Sequence, residues 1–144
     1  MTVSNITQAR DEIQAVFKTA WEADADSQNV TVLYADTAQD VPTSGHWARI
    51  TVRHSDGRQA TLSGEVGQRR FRKFGIVTVQ VFTESGDGLV TSDTLTAVAE
   101  SAFQGVTTNP GRVLFRNVRT VEVGQEGNWH QSNVLASFEY DEVR

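Results

Sequence analysis

The residues of this chain that could do chemistry are few and scattered along the sequence. The three histidines lack both the i, i+4 spacing of a helical metal site and neighbouring carboxylates; they are His46, His54 and His130. Without cysteine, the chain can form neither a disulfide nor a thiolate metal site. Two carboxylate pairs fall at a predicted helix end and in a predicted turn, where acids are ordinarily solvated: Asp24 with Asp26, and Glu84 with Asp87. These residues predict no catalytic site, no metal site and no cofactor.

The most distinctive segment is the basic run at residues 69–73, Arg-Arg-Phe-Arg-Lys, which leads into the apolar stretch 74–82. One interpretation is a nucleic-acid contact, although the acidic remainder of the chain argues against a free DNA-binding protein. A second is a subunit contact, in which the arginines form forked, charge-assisted bonds with a neighbour's acids. A third is a solvated strand entrance. The residues alone leave all three interpretations open.

Charge is unevenly distributed within the net total of −5. Residues 1–40 hold seven acids and two bases, whereas residues 49–73 hold seven bases and two acids. This segregation predicts a molecule with faces of opposite sign, which suits a head-to-tail contact that closes into a ring if the rotation permits. The alternative is that the charges interleave in space and only solvate the surface.

The composition is that of one globular domain spanning residues 1–144. Hydrophobic residues make up 38% of the chain and charged residues 22%, which excludes a disordered protein. The first residues lack the charged and apolar regions of an export signal, and no apolar run approaches the roughly 18–20 residues of a membrane span. We therefore expect a soluble protein with no membrane partner.

Apolar spacing predicts one helix over about residues 5–24 and a second over 89–104, with Gly105 as the left-handed terminator of the second. β-Branched and aromatic residues predict a short strand over 30–34. A long loop follows over 35–45, and loops of this length are often functional.

Alternating polar and apolar residues predict a strand over 47–53, and the pair Asp56-Gly57 predicts a two-residue hairpin turn before a strand over 58–63. The stretch 74–82 has apolar residues on both faces, so it is expected to lie centrally in the sheet. Two more strands, about 112–123 and 130–140, form a closing hairpin. The elements together predict an α+β domain, a mostly antiparallel (mixed) sheet with two helices packed on one face.

The order of aromatic and glycine positions carries a resemblance to a known family. It runs from Gly45-His46-Trp47 through the basic run and the 74–82 strand to a glycine-bearing turn and a helix. It ends on Gly-x-x-Gly-Asn-Trp-His-Gln at 124–131 and Phe-Glu-Tyr-Asp-Glu at 138–142. In this order the chain resembles the tail terminator (tail completion) proteins of long-tailed phages and prophages over nearly its whole length.

The resemblance implies a structural, non-enzymatic subunit that forms a ring, typically of six copies, on the end of the growing tail tube. Such a ring stops tube polymerisation and presents a surface to the head-completion or connector protein, while DNA passes through the lumen without sequence-specific binding. The expected location is the head-proximal end of the tail in the virion, and the host cytoplasm during assembly.

The family has no active site to carry over, so the candidate site is a region chosen from charge placement. The basic residues are predicted to form a subunit contact, or else to line the lumen: Arg69, Arg70, Arg72 and Lys73. The predicted opposing acids are Asp36 and Asp40 of the long loop. Other functions stay open, namely another head-tail joining protein, a tail tube subunit that polymerises alone, or a small ligand-binding domain with a concave site.

Overall fold

The computed structural model describes residues 3, 5–34, 40–61, 64–86 and 88–144, and the backbone alone of Glu126. Two helices and five strands follow in the order α1 (Ile6–Ala23), β1 (Thr31–Tyr34), β2 (Trp47–Gln59), β3 (Arg70–Glu84), α2 (Val90–Phe103), β4 (Leu114–Glu126) and β5 (Trp129–Val143). The two helices and the mixed five-stranded sheet confirm the predicted α+β class.

Helix α1 begins at a polar cap and buries one stripe of side chains. The Asn5 side chain accepts the Gln8 backbone N–H at 2.9 Å, which satisfies a donor that the first helical turn leaves unpaired. Every fourth residue from Ala9 to Trp21 is buried, and the ring of Phe17 lies 6.1 Å from the ring of Phe103 on α2. The predicted helix is therefore confirmed to within a residue at each end.

The strands are ordered β1-β2-β3-β5-β4, with β1 parallel to β2 and every other pair antiparallel. Strand β3 lies at the centre, as its apolar sequence predicts. Its valines at 77, 79 and 81 are fully buried under the helices, and so are Val134 and Ala136 on the neighbouring strand β5. This shared stripe forms the middle of the core.

The predicted hairpin turn at Asp56-Gly57 is wrong. Strand β2 runs straight through both residues, and they pair with Phe74 and Lys73 of β3. Neither has the positive φ that a type I′ turn requires, and the register shift between His54 and Asp56 places a bulge at Ser55, just before the pair. The chain reverses instead within residues 60–69, where two glycines take positive φ.

Helix α2 ends where glycine permits the reversal. Gln104 donates its backbone N–H to the Glu100 carbonyl, and Gly105 follows with a φ of 66°, as predicted. Both helices pack side by side on the same face of the sheet. In the described part of the chain, neither helix is long and apolar enough to cross a membrane.

The carboxylate of Glu12 joins α1 to the turn before β4. Its Oε1 accepts the Thr108 hydroxyl at 2.6 Å and the Gly111 backbone N–H at 3.0 Å, and Oε2 accepts the Gln8 side-chain amide at 2.7 Å. A Cβ on Gly111 would meet Val3 and Glu12, so only glycine fits there. The Glu12 side chain therefore holds in place the turn that contains Arg112 and leads into β4.

We expect Glu12→Ala to lower the free energy of unfolding by about 1–2 kcal/mol, because it leaves a backbone N–H and a hydroxyl without their acceptor. Urea unfolding measures the change. The matched control is Glu22→Ala on the same helix, where the carboxylate is exposed and forms no ion pair among the described residues, and the expected change is below about 0.5 kcal/mol. Equal losses in the two variants would contradict this role of Glu12.

Candidate functional site

The helices cover one face of the sheet, and no helix within the described ranges covers the other, which we call the open face. Alternation along β3 sends its even-numbered residues from Arg70 to Glu84 to this side, and the register places the partners of the other strands beside them. The open face carries seven arginines against four described acids. The arginines are Arg49, Arg53, Arg58, Arg70, Arg72, Arg116 and Arg119, and the acids are Asp56, Glu84, Glu139 and Asp141.

One end of the open face is an aromatic cluster. The Trp47 ring stacks on Phe82 with 4.1 Å between centroids, and the edge of Trp129 approaches Trp47 at 6.1 Å. The guanidinium of Arg49 lies over Trp47 at 5.3 Å from the ring centroid. Glu84 fixes the segment before β2 here, because its carboxylate accepts the Gly45 N–H. The tryptophans thus pack within the subunit as structural residues.

Strand alternation divides the predicted basic run between two sides. Arg70 and Arg72 lie on the open face, paired in register with Val143 and Asp141 of β5. Lys73 lies on the helix side, opposite Gly57. Arg69 precedes the strand and donates its side-chain Nε–H to the Gly64 carbonyl at 2.9 Å. The structure therefore brings two of the four predicted basic residues together.

Three further arginines join this pair from other elements. Arg58 comes from β2, Arg112 from the turn before β4, and Arg116 from β4 itself. Two adjoining cavities of about 300 and 430 Å³ are bordered by these side chains, and both include Arg72, Arg116 and Glu139. We call the surface lined by Arg58, Arg70, Arg72, Arg112 and Arg116 the arginine groove.

Two carboxylates of β5 organise the floor of the groove. Asp141 accepts two bonds from Arg72, at 2.8 Å from Nε and 3.2 Å from Nη2, and a longer one of 3.4 Å from Arg70. Glu139 pairs with Arg116 at 2.7 Å. Hydrogen bonding from Arg72 is the main reason that the pKa of Asp141 is lowered, and the same bond raises the pKa of Arg72. Three arginines thus share two acids.

The lowered pKa of Asp141 gives its contribution a definite pH dependence. The folded pKa lies below the unfolded one, so this stabilisation is fully present above the ordinary aspartate pKa and is lost as pH falls through the folded value. We expect Asp141→Asn to cost about 1 kcal/mol near neutral pH and progressively less as the pH falls below the ordinary aspartate pKa, measured by urea unfolding across that range. Asp56→Asn, an exposed change on the same face, is the control. A pH-independent loss at Asp141 would contradict this assignment.

On the helix side of the sheet, His54 belongs to a buried polar cluster. Its Nε2 lies 2.6 Å from the Tyr140 hydroxyl, and its ring packs edge-on against Phe138. Burial is the main cause that lowers the pKa of His54 and that raises the pKa of Tyr140 to about 12. The carboxylate of Glu142 is buried nearby and pairs with Arg144 at 2.9 Å. In the described part of the chain, no three histidines or acids converge as a metal site would require.

Beyond the sheet, the opposite side of the molecule is acidic. We call α1, α2 and the turn at 24–30 the helical layer. It holds two bases, Arg10 and Lys18, against seven acids: Asp11, Glu12, Glu22, Asp24, Asp26, Asp93 and Glu100. The charge segregation along the sequence therefore becomes a separation in space, with a basic open face and an acidic helical layer on opposite sides.

Of the two predicted opposing acids, Asp40 is exposed and Asp36 lies outside the described residues. The segment after Asp40 reaches the Glu84 end of β3, about 40 Å along the strand from Arg72 at ordinary strand rise.

Arg58, Arg112 and Arg116 were not singled out from the sequence. Antiparallel pairing of β2 with β3 places Arg58 there, and pairing of β4 with β5 places Arg116, but both inferences require the strand register.

A family model described as phage tail terminator protein matches residues 7–136. No curated protein sequence matches the chain.

Two solved structures have a similar fold. The first is 20% identical, with 91% of this chain and 94% of that chain covered and a TM-score of 0.66. The second comes from the virion of a native gene transfer agent particle; it is 17% identical, with 92% and 96% covered and a TM-score of 0.54. At these identities the likenesses show the fold alone.

Proposed function

The chain belongs to the phage tail terminator family and is a structural protein of the phage tail in the virion, and we propose that it forms a closed ring on the head-proximal end of the tail tube. In this role the ring ends tube polymerisation and offers the surface to which the head or connector attaches. The role is structural, and it calls for no catalytic group or cofactor.

The observation that carries the proposal is the separation of charge between the open face and the helical layer. A surface of one sign that meets a surface of the opposite sign on the next copy makes a heterologous contact. Repetition of that contact around an axis gives a ring when the rotation closes. The exposed charges also raise the association rate by electrostatic steering.

The proposed partners are other copies of the chain in a ring of six, as the family implies, together with the tail tube protein, the head-completion or connector protein, and DNA that passes through without sequence-specific binding. Within the ring, Arg70 and Arg72 supply a subunit contact or face the lumen, with Arg69 and Lys73 at its margin. Asp36 and Asp40 are proposed as acids that the neighbouring copy offers. Assembly takes place in the host cytoplasm.

Native mass spectrometry with negative-stain imaging of the purified chain, alone and with tail tubes of its own phage, tests the proposal. We expect closed rings of one size, free in solution or seated on one end of each tube. Open-ended tubes made by the chain alone would instead identify a tube subunit. A monomer that leaves tube ends bare would contradict the proposal.

A further inference from the structure

We infer that the arginine groove is the docking surface for the acidic helical layer of a second copy of this chain. The inference rests on the proposed ring and deepens it by naming the two surfaces that meet. It places the main opposing acids at the end of α1 and in the following turn.

The groove holds positive charge that the subunit itself does not neutralise. Its five arginines face two carboxylates, Glu139 and Asp141. Within the described part of the chain, Arg58 and Arg112 form no ion pair, and the Arg58 guanidinium rests over the Phe74 ring at 5.4 Å from the centroid. Forked guanidinium groups of this kind are suited to carboxylates. The groove therefore calls for acids from outside the subunit.

The helical layer offers such acids on the far side of the sheet. Asp24 and Asp26 border a cleft of about 460 Å³ between the end of α1 and α2. The exposed Glu22 lies on α1 between two residues that line the cleft, Ala20 and Asp24, and the exposed Asp93 precedes Thr94 on the α2 side. None of these four carboxylates forms an ion pair among the described residues. Among the described residues of a single copy, these acids and the arginines Arg58 and Arg112 are thus not neutralised by any ion pair.

The positions of the two surfaces favour a second copy over a nucleic acid as the occupant. They lie on opposite sides of one sheet, so each copy can use its groove on one neighbour and its helical layer on the other. Such a contact neutralises both surfaces at once and repeats without limit until a ring closes. A polyanion in the groove would leave the acidic layer unpaired.

Two double charge reversals test this contact. Arg58→Glu/Arg112→Glu reverses the two arginines of the groove that form no ion pair, and Glu22→Lys/Asp26→Lys reverses two of the acids at the end of α1 and in the following turn. Neither pair belongs to the Arg72–Asp141 network, and all four side chains are exposed, so folding should survive. The control is Arg10→Glu/Lys18→Glu, which changes the net charge as much as the first variant but adds acids to a layer that is already acidic.

We expect each variant alone to form at least tenfold fewer rings than the wild type, as measured by native mass spectrometry or by the capping of tail tubes. The control should form rings as the wild type does. In a ring of one variant, every contact then brings the two reversed side chains against groups of their own sign, new glutamates against the acids of the layer or new lysines against the arginines of the groove. Mixed in equal amounts, the two variants should alternate around the ring and restore it, since every contact again joins acid to base. That rescue also shows that both variants are folded.

The failures of the two proposals are separable. If the wild-type chain neither forms rings nor caps tubes, the proposed function fails. If the wild type forms rings and both variants do so as well, only the docking inference is wrong. If the groove variant keeps its rings and instead loses retention of duplex DNA, the groove faces the lumen and the inference is overturned.

Discussion

Replacement of Gly75 by alanine should lower the free energy of unfolding by about 3 kcal/mol or more, which is the largest effect expected of any single change here. Gly75 sits in the central strand, opposite His54 of β2 and Phe138 of β5. A Cβ at this position would collide with the Phe138 ring and with the Arg53 carbonyl. Both distances would be shorter than those that Cβ atoms in proteins make to non-bonded groups. The backbone oxygen cannot move without breaking the β2–β3 ladder.

Thermal unfolding followed by circular dichroism measures the loss, which corresponds to a fall in Tm of about 10 °C for a chain of this size. Gly57→Ala is the matched control on β2. There the nearest atoms would lie at 3.7 Å from the new Cβ, in ordinary contact, and its φ is not in the left-handed region. A Gly75→Ala variant as stable as Gly57→Ala would show that the centre of the sheet has room for a Cβ at position 75, which would contradict this prediction.

The second large effect is expected from Arg72→Glu. The change removes the two bonds that Arg72 makes to Asp141 and places a third carboxylate beside Asp141 and Glu139. Because the Arg72 side chain is 37% exposed, solvent weakens both the lost attraction to Asp141 and the new repulsion between carboxylates. We expect the free energy of unfolding to fall by about 3 kcal/mol in total. Urea unfolding near neutral pH measures it.

Two further variants separate this network from general charge effects. Arg53→Glu makes the same change on the same face at an exposed arginine that forms no ion pair among the described residues, and it should cost less than about 0.5 kcal/mol. Arg72→Glu/Asp141→Arg restores the pair in reverse and should recover at least about half of the loss. Without that recovery, the Arg72–Asp141 pair is not the source of the effect.

Much of the architecture was predictable because it follows from local periodicity. The stripe from Ala9 to Trp21 fixes α1, and Gly105 fixes the end of α2. The apolar faces around Val79 place β3 at the centre of the sheet. Each of these features depends on residues within a few positions of one another, so the sequence contains the whole signal.

The hairpin at Asp56-Gly57 shows where local signals fail. The pair has the right residue types for a tight turn, yet β3 and β5 extend far enough to pair with β2 beyond it. Continued pairing along a long strand outweighs the turn preference of these two residues, which pair with β3 after a bulge at Ser55. The extension is also what carries Arg58 onto the groove.

The arginine groove depends on registers between distant strands and was therefore beyond sequence reasoning. Arg116 meets Glu139 only because β4 pairs with β5, and Arg72 meets Asp141 only because β5 pairs with β3. A shift of one residue in either pairing would send the side chains to the helix side. The sequence thus identified Arg70 and Arg72 as candidates but not the arginines and acids around them.

The measurement that tests the central claim most directly is the length of tail tubes assembled from the phage's own tube protein, with and without this chain. We predict that added chain stops growth, so that negative-stain images show shorter tubes, each with a ring of fixed diameter at one end only. Tubes of unchanged length with bare ends, or tubes in which this chain is incorporated along the whole length, would contradict a terminator.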